Sequence, residues 1–130
     1  MILMIMQRSP PTGKCPIQIS LSVIGGKWKP IILWFLRDGP VRFSEIQRKI
    51  PGITQMMLTK QLRELVADGM LERTAYPEVP PRVDYRITDD GRSVFPVLMA
   101  LHEWGNEYQK RKNGSWSQKC ADTFCEDVTE

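Results

Sequence analysis

Gln55, Met56, Thr59, Lys60 and Arg63 follow one another at helical spacing, and between them carry the donors, acceptors and methyl groups that touch base edges and phosphates. A glutamine can bond an adenine edge, and a threonine can meet a thymine methyl. An arginine or lysine can take guanine or a phosphate. A solvated helix face is the plainer reading of such a row. It accounts for the charges but not for the elements that surround them.

Those elements can be read from the same stretch, Ile53 to Asp68. Advancing about 100° per residue, Leu58, Leu62, Leu65 and Val66 gather on one side, and Met56, Thr59, Lys60 and Arg63 on the other. Thr54 is an N-cap residue type, with Ile53 placed to staple against Leu58. Asp68-Gly69 supplies a helix stop. Upstream, Arg42 to Ile50 forms a second short amphipathic run. Ser44 is placed to cap it, Ile46 and Ile50 point inward, and Pro51-Gly52 makes the turn. Two helices joined in this way form a helix-turn-helix, whose second helix enters the major groove.

Downstream, Met70 to Tyr76 and Val83 to Ile87 read as two strands, with Val83, Tyr85 and Ile87 alternating against Asp84 and Arg86. Pro77 to Arg82 is the stiff tip between them. A hairpin directly after the reading helix is a wing, and Arg82 is placed to reach a phosphate or a minor groove. Upstream of the motif, Pro16 at a first helical position favours a helix over Ile17 to Ile24, although its alternation also suits a strand. Lys27 to Leu36 is the most apolar segment and reads as the core helix, beginning near Trp28 so that Pro30 falls in its first turn.

Thr88 can cap a final helix running to about Lys112, kinked at Pro96. Val94, Val97, Leu98, Leu101, Trp104 and Tyr108 form one apolar stripe along it, while Phe95 and Met99 lie outside. That exceeds what one packing face requires, so a partner helix from a second subunit is expected. The expected dimer interface comprises Ile17, Leu21, Leu98, Leu101, Trp104 and Tyr108.

Composition bounds the rest. The 130 residues suit one domain with extensions: an arm over 1–14, a body over 15–112 and a tail over 113–130. The body is basic, with 16 of the 18 Lys/Arg and 11 of the 15 Asp/Glu between Lys14 and Lys112. Four acids face one lysine from Gly114 onward, where fraying is expected. A basic body suits a polyanion partner. The apolar opening Met-Ile-Leu-Met-Ile-Met is too short for a signal peptide or membrane span, so a cytoplasmic protein without membrane contact is expected.

Three cysteines in a reducing compartment do not make a disulfide framework. Cys15 stands beside Lys14 at a helix start, where the cation and the helix dipole would both stabilise a thiolate. An inert thiol near a dimer interface fits that position as well. Cys120, Cys125 and the lone His102 are too few for a zinc site, and no metal or cofactor is expected. An enzyme is the rival class, but Cys15 and His102 are the only nucleophile and base worth naming, with no phosphate loop or carboxylate cluster. A winged helix used as a protein-protein interaction module, without DNA readout, is the alternative within the fold.

Taken together, Cys15-Pro16, Ile24-Gly-Gly-Lys-Trp-Lys29, Asp38-Gly39-Pro40, Arg42-Phe43, Pro51-Gly-Ile53, Met57-Leu58-Thr59, Gln61-Leu62-Arg63-Glu64-Leu65, Asp68-Gly69, Tyr76-Pro-Glu-Val-Pro-Pro-Arg-Val83, Tyr85 and Trp104-Gly105 resemble the HxlR-type winged-helix transcription regulators, a bacterial group related to the MarR family. The resemblance covers roughly Cys15 to Tyr108. It implies an α+β, mainly helical winged helix-turn-helix domain with an N-terminal helix and a long C-terminal dimerisation helix. It further implies a homodimer on an inverted-repeat operator in double-stranded DNA. Some HxlR-type regulators similarly use a cysteine in the place of Cys15 to sense quinones, aldehydes or oxidants, so a small electrophile or oxidant is a candidate partner. The DNA-binding residues expected are Ser44, Thr54, Gln55, Met56, Thr59, Lys60, Arg63 and Arg82.

Overall fold

The computed structural model describes residues 15–112; the arm with Lys14, and the tail with Cys120 and Cys125, lie outside the described residues. Helix α1 spans Pro16–Ile24, with proline in its first turn and Cys15 at its N-cap. The Cys15 backbone N–H donates to Gln18 Oε1 at 3.1 Å, satisfying a donor next to the helix end. Helix, not strand, is the outcome at this position. Only Ile24 is buried; Ile17 and Leu21 stay exposed.

Helix α2 is Lys29–Phe35, and Pro30 falls in its first turn, where a missing N–H costs no hydrogen bond. Ile32 and Leu33 are fully buried. Strand β1, Val41–Arg42, leads into helix α3, Phe43–Lys49, and the turn to the reading helix follows. Ser44 does not cap α3. The helix begins two residues earlier than that cap would set it, because Arg42 is still extended and paired with Asp84 in the sheet when the chain turns helical, so Arg42 is the N-cap. Ile46 and Ile50 point inward as expected.

The reading helix α4 is Gln55–Ala67, followed by β2, Leu71–Tyr76, and β3, Arg82–Ile87. The sheet order is β1-β3-β2, antiparallel throughout, with Leu71 opposite Ile87 and Tyr76 opposite Arg82. Arg82 therefore stands in the ladder and not in the hairpin tip, where the exposed Val79 is found. The simple alternation of β3 also fails at one place. Asp84 is buried, because its carboxylate is taken up by Arg82 and faces Arg42 across the ladder.

Helix α5, Asp89–Arg92, is a single turn whose N-cap Thr88 accepts the Gly91 N–H at 3.0 Å. Helix α6 is Phe95–Arg111. The expected single kinked helix is two helices. Pro96 cannot donate to a preceding turn, so it stands in the first turn of α6, where that bond is not required.

Two compact units are distinguished, one ending at Ser93 and the other beginning at Val94. The core of the first is formed by Ile32, Leu33, Leu36, Ile46, Leu58, Leu62 and Leu65, all at most 1% exposed. Each such side chain contributes about 1.5–3 kcal/mol of hydrophobic stabilisation. The second unit is built on α6, whose Leu98 is buried and whose Val97, Met99, Leu101, Trp104 and Tyr108 are exposed. The Trp104 and Tyr108 rings, one helical turn apart, stack with centroids 5.0 Å apart.

Candidate nucleic-acid interface

The reading helix is fixed at both ends and along one side. At its start, Thr54 Oγ1 accepts the Met57 N–H at 3.1 Å. At its end, Gly69 adopts φ +81°, its N–H donating to the Val66 carbonyl at 3.0 Å while the Met70 N–H donates to the Leu65 carbonyl at 2.9 Å. That pair of bonds is a Schellman motif, which requires a left-handed residue and so favours glycine. Leu58, Leu62 and Leu65 pin the inner side at 0% exposure. Beside them the buried Lys29 Nζ meets Glu64 Oε1 at 2.6 Å, tying α2 to α4.

With one side so held, the other faces out. Thr54, Gln55, Met56, Lys60 and Arg63 are exposed and Thr59 is half-buried. Met56 is 81% exposed, a large apolar side chain on the outer surface of an otherwise well-packed helix. Between α4 and the wing runs a groove of about 1430 Å³ lined by Arg42, Ser44, Thr59, Arg63, Arg73 and Arg82, among others. Of the expected residues it brings together Ser44, Thr59, Arg63 and Arg82. Thr54, Gln55, Met56 and Lys60 lie along α4 without lining it.

Arg42 and Arg73 are the cations that sequence reading did not assign. Arg73 is opposite the buried Tyr85, and four successive β2 residues, Leu71 to Thr74, line the groove, so alternation along the strand does not single it out. Arg42 gave no signal either, because its position depends on pairing with a strand some 40 residues away in the chain.

The wing carries its own charge order. Arg82 Nε donates to Asp84 Oδ1 at 3.2 Å and Nη2 to Oδ2 at 3.0 Å, while its guanidinium lies 4.6 Å from the Tyr76 ring centroid. These hydrogen bonds hold the Asp84 carboxyl below the usual carboxylate range. Burial pushes the other way, and the Arg82 and Arg42 charges lower it further. Arg86 pairs with Glu72 across the strands, and Arg48 with Glu45 on α3, where the hydrogen bonds from Arg48 likewise hold the Glu45 carboxyl low. Arg42 and Arg63 have no ion pair among the described residues. A groove floored by such cations beside an exposed polar helix suits a phosphate backbone and its base edges.

A model of the HxlR-like helix-turn-helix family matches residues 23–113. This chain belongs to that family. An HTH-type transcriptional regulator of Methanothermobacter thermautotrophicus is 52% identical to this HxlR-like chain over 101 residues, covering 78% of it and 77% of the relative. Among solved structures, the redox regulator HypR in its oxidised form is 49% identical with a TM-score of 0.68, over 72% of this chain and 96% of HypR. The reduced form of the transcriptional regulator YodB from Bacillus subtilis is 35% identical with a TM-score of 0.63, over 73% and 94%. The HxlR-like chain is therefore a helix-turn-helix transcriptional regulator with a winged-helix fold, and DNA is the partner its family implies. Its α4 is the second helix of the helix-turn-helix. Among the described residues no helix is long and apolar enough to cross a membrane.

Cys15 is exposed at the start of α1, on the same helix as the exposed Ile17 and Leu21.

Proposed function

We propose that this regulator binds an inverted-repeat operator as a homodimer, reading bases with Gln55, Met56, Thr59, Lys60 and Arg63 and supporting the contact with Ser44, Thr54 and Arg82. One observation carries the reading: α4 is capped, buried on one side and polar on the other, beside a groove lined by arginines from β1, β2, β3 and α4 itself. A two-fold protein requires half-sites about one helical turn apart, roughly 34 Å. The exposed apolar residues Ile17 and Leu21 on α1 and, separately, Leu101, Trp104 and Tyr108 on α6 are assigned to the second copy, whereas Leu98, expected there too, is already buried in the single chain. Enrichment of duplexes from a random pool by the full-length protein, with sedimentation at micromolar concentration, tests both parts. An inverted repeat bound by a dimer is expected. A monomer of 15.0 kDa that binds a single half-site tightly would contradict it.

Oxidation or alkylation of Cys15 changes operator affinity in this reading. Support comes from the exposed thiol at the head of α1 and from the likeness to HypR, a redox regulator with oxidised and reduced structures. An adduct or intersubunit disulfide there would tilt the subunits and so loosen or lock the spacing of the two reading helices relative to their half-sites.

A further inference from the structure

The guanidinium of Arg82 is held on two sides. Asp84, buried within the same strand, takes its Nε–H and one Nη2–H; Tyr76, its partner across the ladder, lies under its face at 4.6 Å. What remains free is the edge bearing Nη1 and the outer hydrogen of Nη2. An arginine on a flexible stem is a mobile charge, suited to any phosphate. One whose fork is already bonded and stacked offers donors in a fixed direction, with little rotamer freedom left to lose on binding. Its net charge is meanwhile offset by the carboxylate at hydrogen-bond distance.

We infer that Asp84 and Tyr76 are positioning residues that aim the free edge of Arg82 at minor-groove acceptors, so that the wing prefers A·T over G·C pairs and does not act as a plain phosphate clamp. The groove floor of A·T pairs shows only acceptors, and a narrow A·T-rich groove has the stronger negative potential; guanine adds an amino donor that would oppose the arginine. Arg82 itself touches the DNA in this arrangement, while Asp84 and Tyr76 act through it. The inference rests on the DNA-binding reading above.

The test uses the duplex that the full-length protein selects from a random pool, with the base pairs flanking each half-site changed in turn from A·T to G·C, alongside a random-sequence duplex. The parent should lose about tenfold at one flanking position per half-site, the typical effect of one wrong pair. Asp84→Asn should bring that ratio to within about twofold while leaving random-duplex affinity no weaker than about half the parent's; Arg82→Lys, which cannot keep the fork, should lower the ratio as well. Asp84→Glu, which keeps the carboxylate, should restore most of the preference. The ratio is taken on one protein sample, so a loss of folded fraction cancels and a merely structural role would not move it. Tyr76→Leu leaves the ion pair in place, and should lower the ratio even if Asp84→Asn does not fold. An arginine serving only as a phosphate clamp would behave differently: removing the Asp84 charge would tighten every duplex alike with the flanking ratio unchanged, which would overturn the inference. A parent that enriches a site with no flanking preference would also overturn it, leaving the DNA-binding reading standing; a parent that enriches no duplex would overturn both.

Discussion

Lys29 Nζ and Glu64 Oε1 lie 2.6 Å apart, joining the first turn of α2 to the reading helix, and the lysine is almost wholly buried. A buried ammonium without its partner is strongly disfavoured, whereas the pair as a whole adds little over an apolar replacement. The bond therefore serves to fix where α4 stands more than to stabilise the fold.

Glu64→Ala should consequently destabilise the protein by about 2 kcal/mol, a value kept modest because the glutamate side chain is 32% exposed. Lys29→Met combined with Glu64→Leu should recover most of that loss. Urea unfolding of the parent, Lys29→Met, Glu64→Leu and the double variant measures the coupling, and strictly additive losses would show that the pair is not coupled.

Thr54→Ala removes the side-chain bond to the Met57 N–H at the start of α4. A loss of about 1 kcal/mol is expected in thermal or urea unfolding. Because the loosened turn presents Gln55 and Met56, operator affinity should fall by more than the change in folded population accounts for. Equal stability would mean that the cap is replaced by water without cost.

A Cβ at Gly91 would meet the Met70 carbonyl oxygen at 2.3 Å and Ile87 Cγ2 at 2.9 Å, both in the turn and strand that carry the wing. Backbone cannot yield there as a flexible side chain would. Gly91→Ala should cost about 1–3 kcal/mol, the usual range for an overpacked site. A midpoint within experimental error of the parent would show that α5 shifts freely.

Acid should act on the wing through Asp84. Its carboxyl is held low in the folded state, chiefly by the hydrogen bonds from Arg82, so its contribution is present above the unfolded value of about 3.9 and is lost as pH falls through the lower folded value. The stability difference between parent and Asp84→Asn should therefore be constant from neutral pH to about 4.5 and shrink below about 3.5. Unfolding curves across that range check it; a gap that shrinks near neutrality would point to another group.

Much of this was legible in the sequence, for a local reason. Helix caps, a glycine stop and the leucine spacing of α4 are decided within a few residues, and Thr54, Gly69, Leu58, Leu62 and Leu65 all occupy the expected places. The departures lie where distant segments meet. Ser44 lost the cap to Arg42 because Arg42 pairs with Asp84, and Asp84 turned inward because Arg82 satisfies it. In the sequence Pro96 reads as a kink because periodicity runs through Val94 without interruption, while the four-residue α5 ends before it. Arg42 and Arg73 reach the groove through strand pairing, to which a hydrophobic period is blind.

The thiol prediction separates one cysteine from the other two. Cys15→Ser should keep basal operator binding and lose any response to diamide or a quinone, whereas Cys120→Ser with Cys125→Ser should leave that response intact. Gel-shift titration before and after treatment reads it. A response that survives in Cys15→Ser and vanishes in the tail double variant would move the sensor to the tail.

The central claim, that the outer side of α4 reads base pairs, is tested most directly by the affinity of Arg63→Ala for the selected operator and for a random duplex at one moderate salt concentration. The account expects a loss of about 1–3 kcal/mol on the operator, a smaller loss on the random duplex, and relaxed preference at one position in each half-site. Parent-like affinity and preference in Arg63→Ala would contradict it.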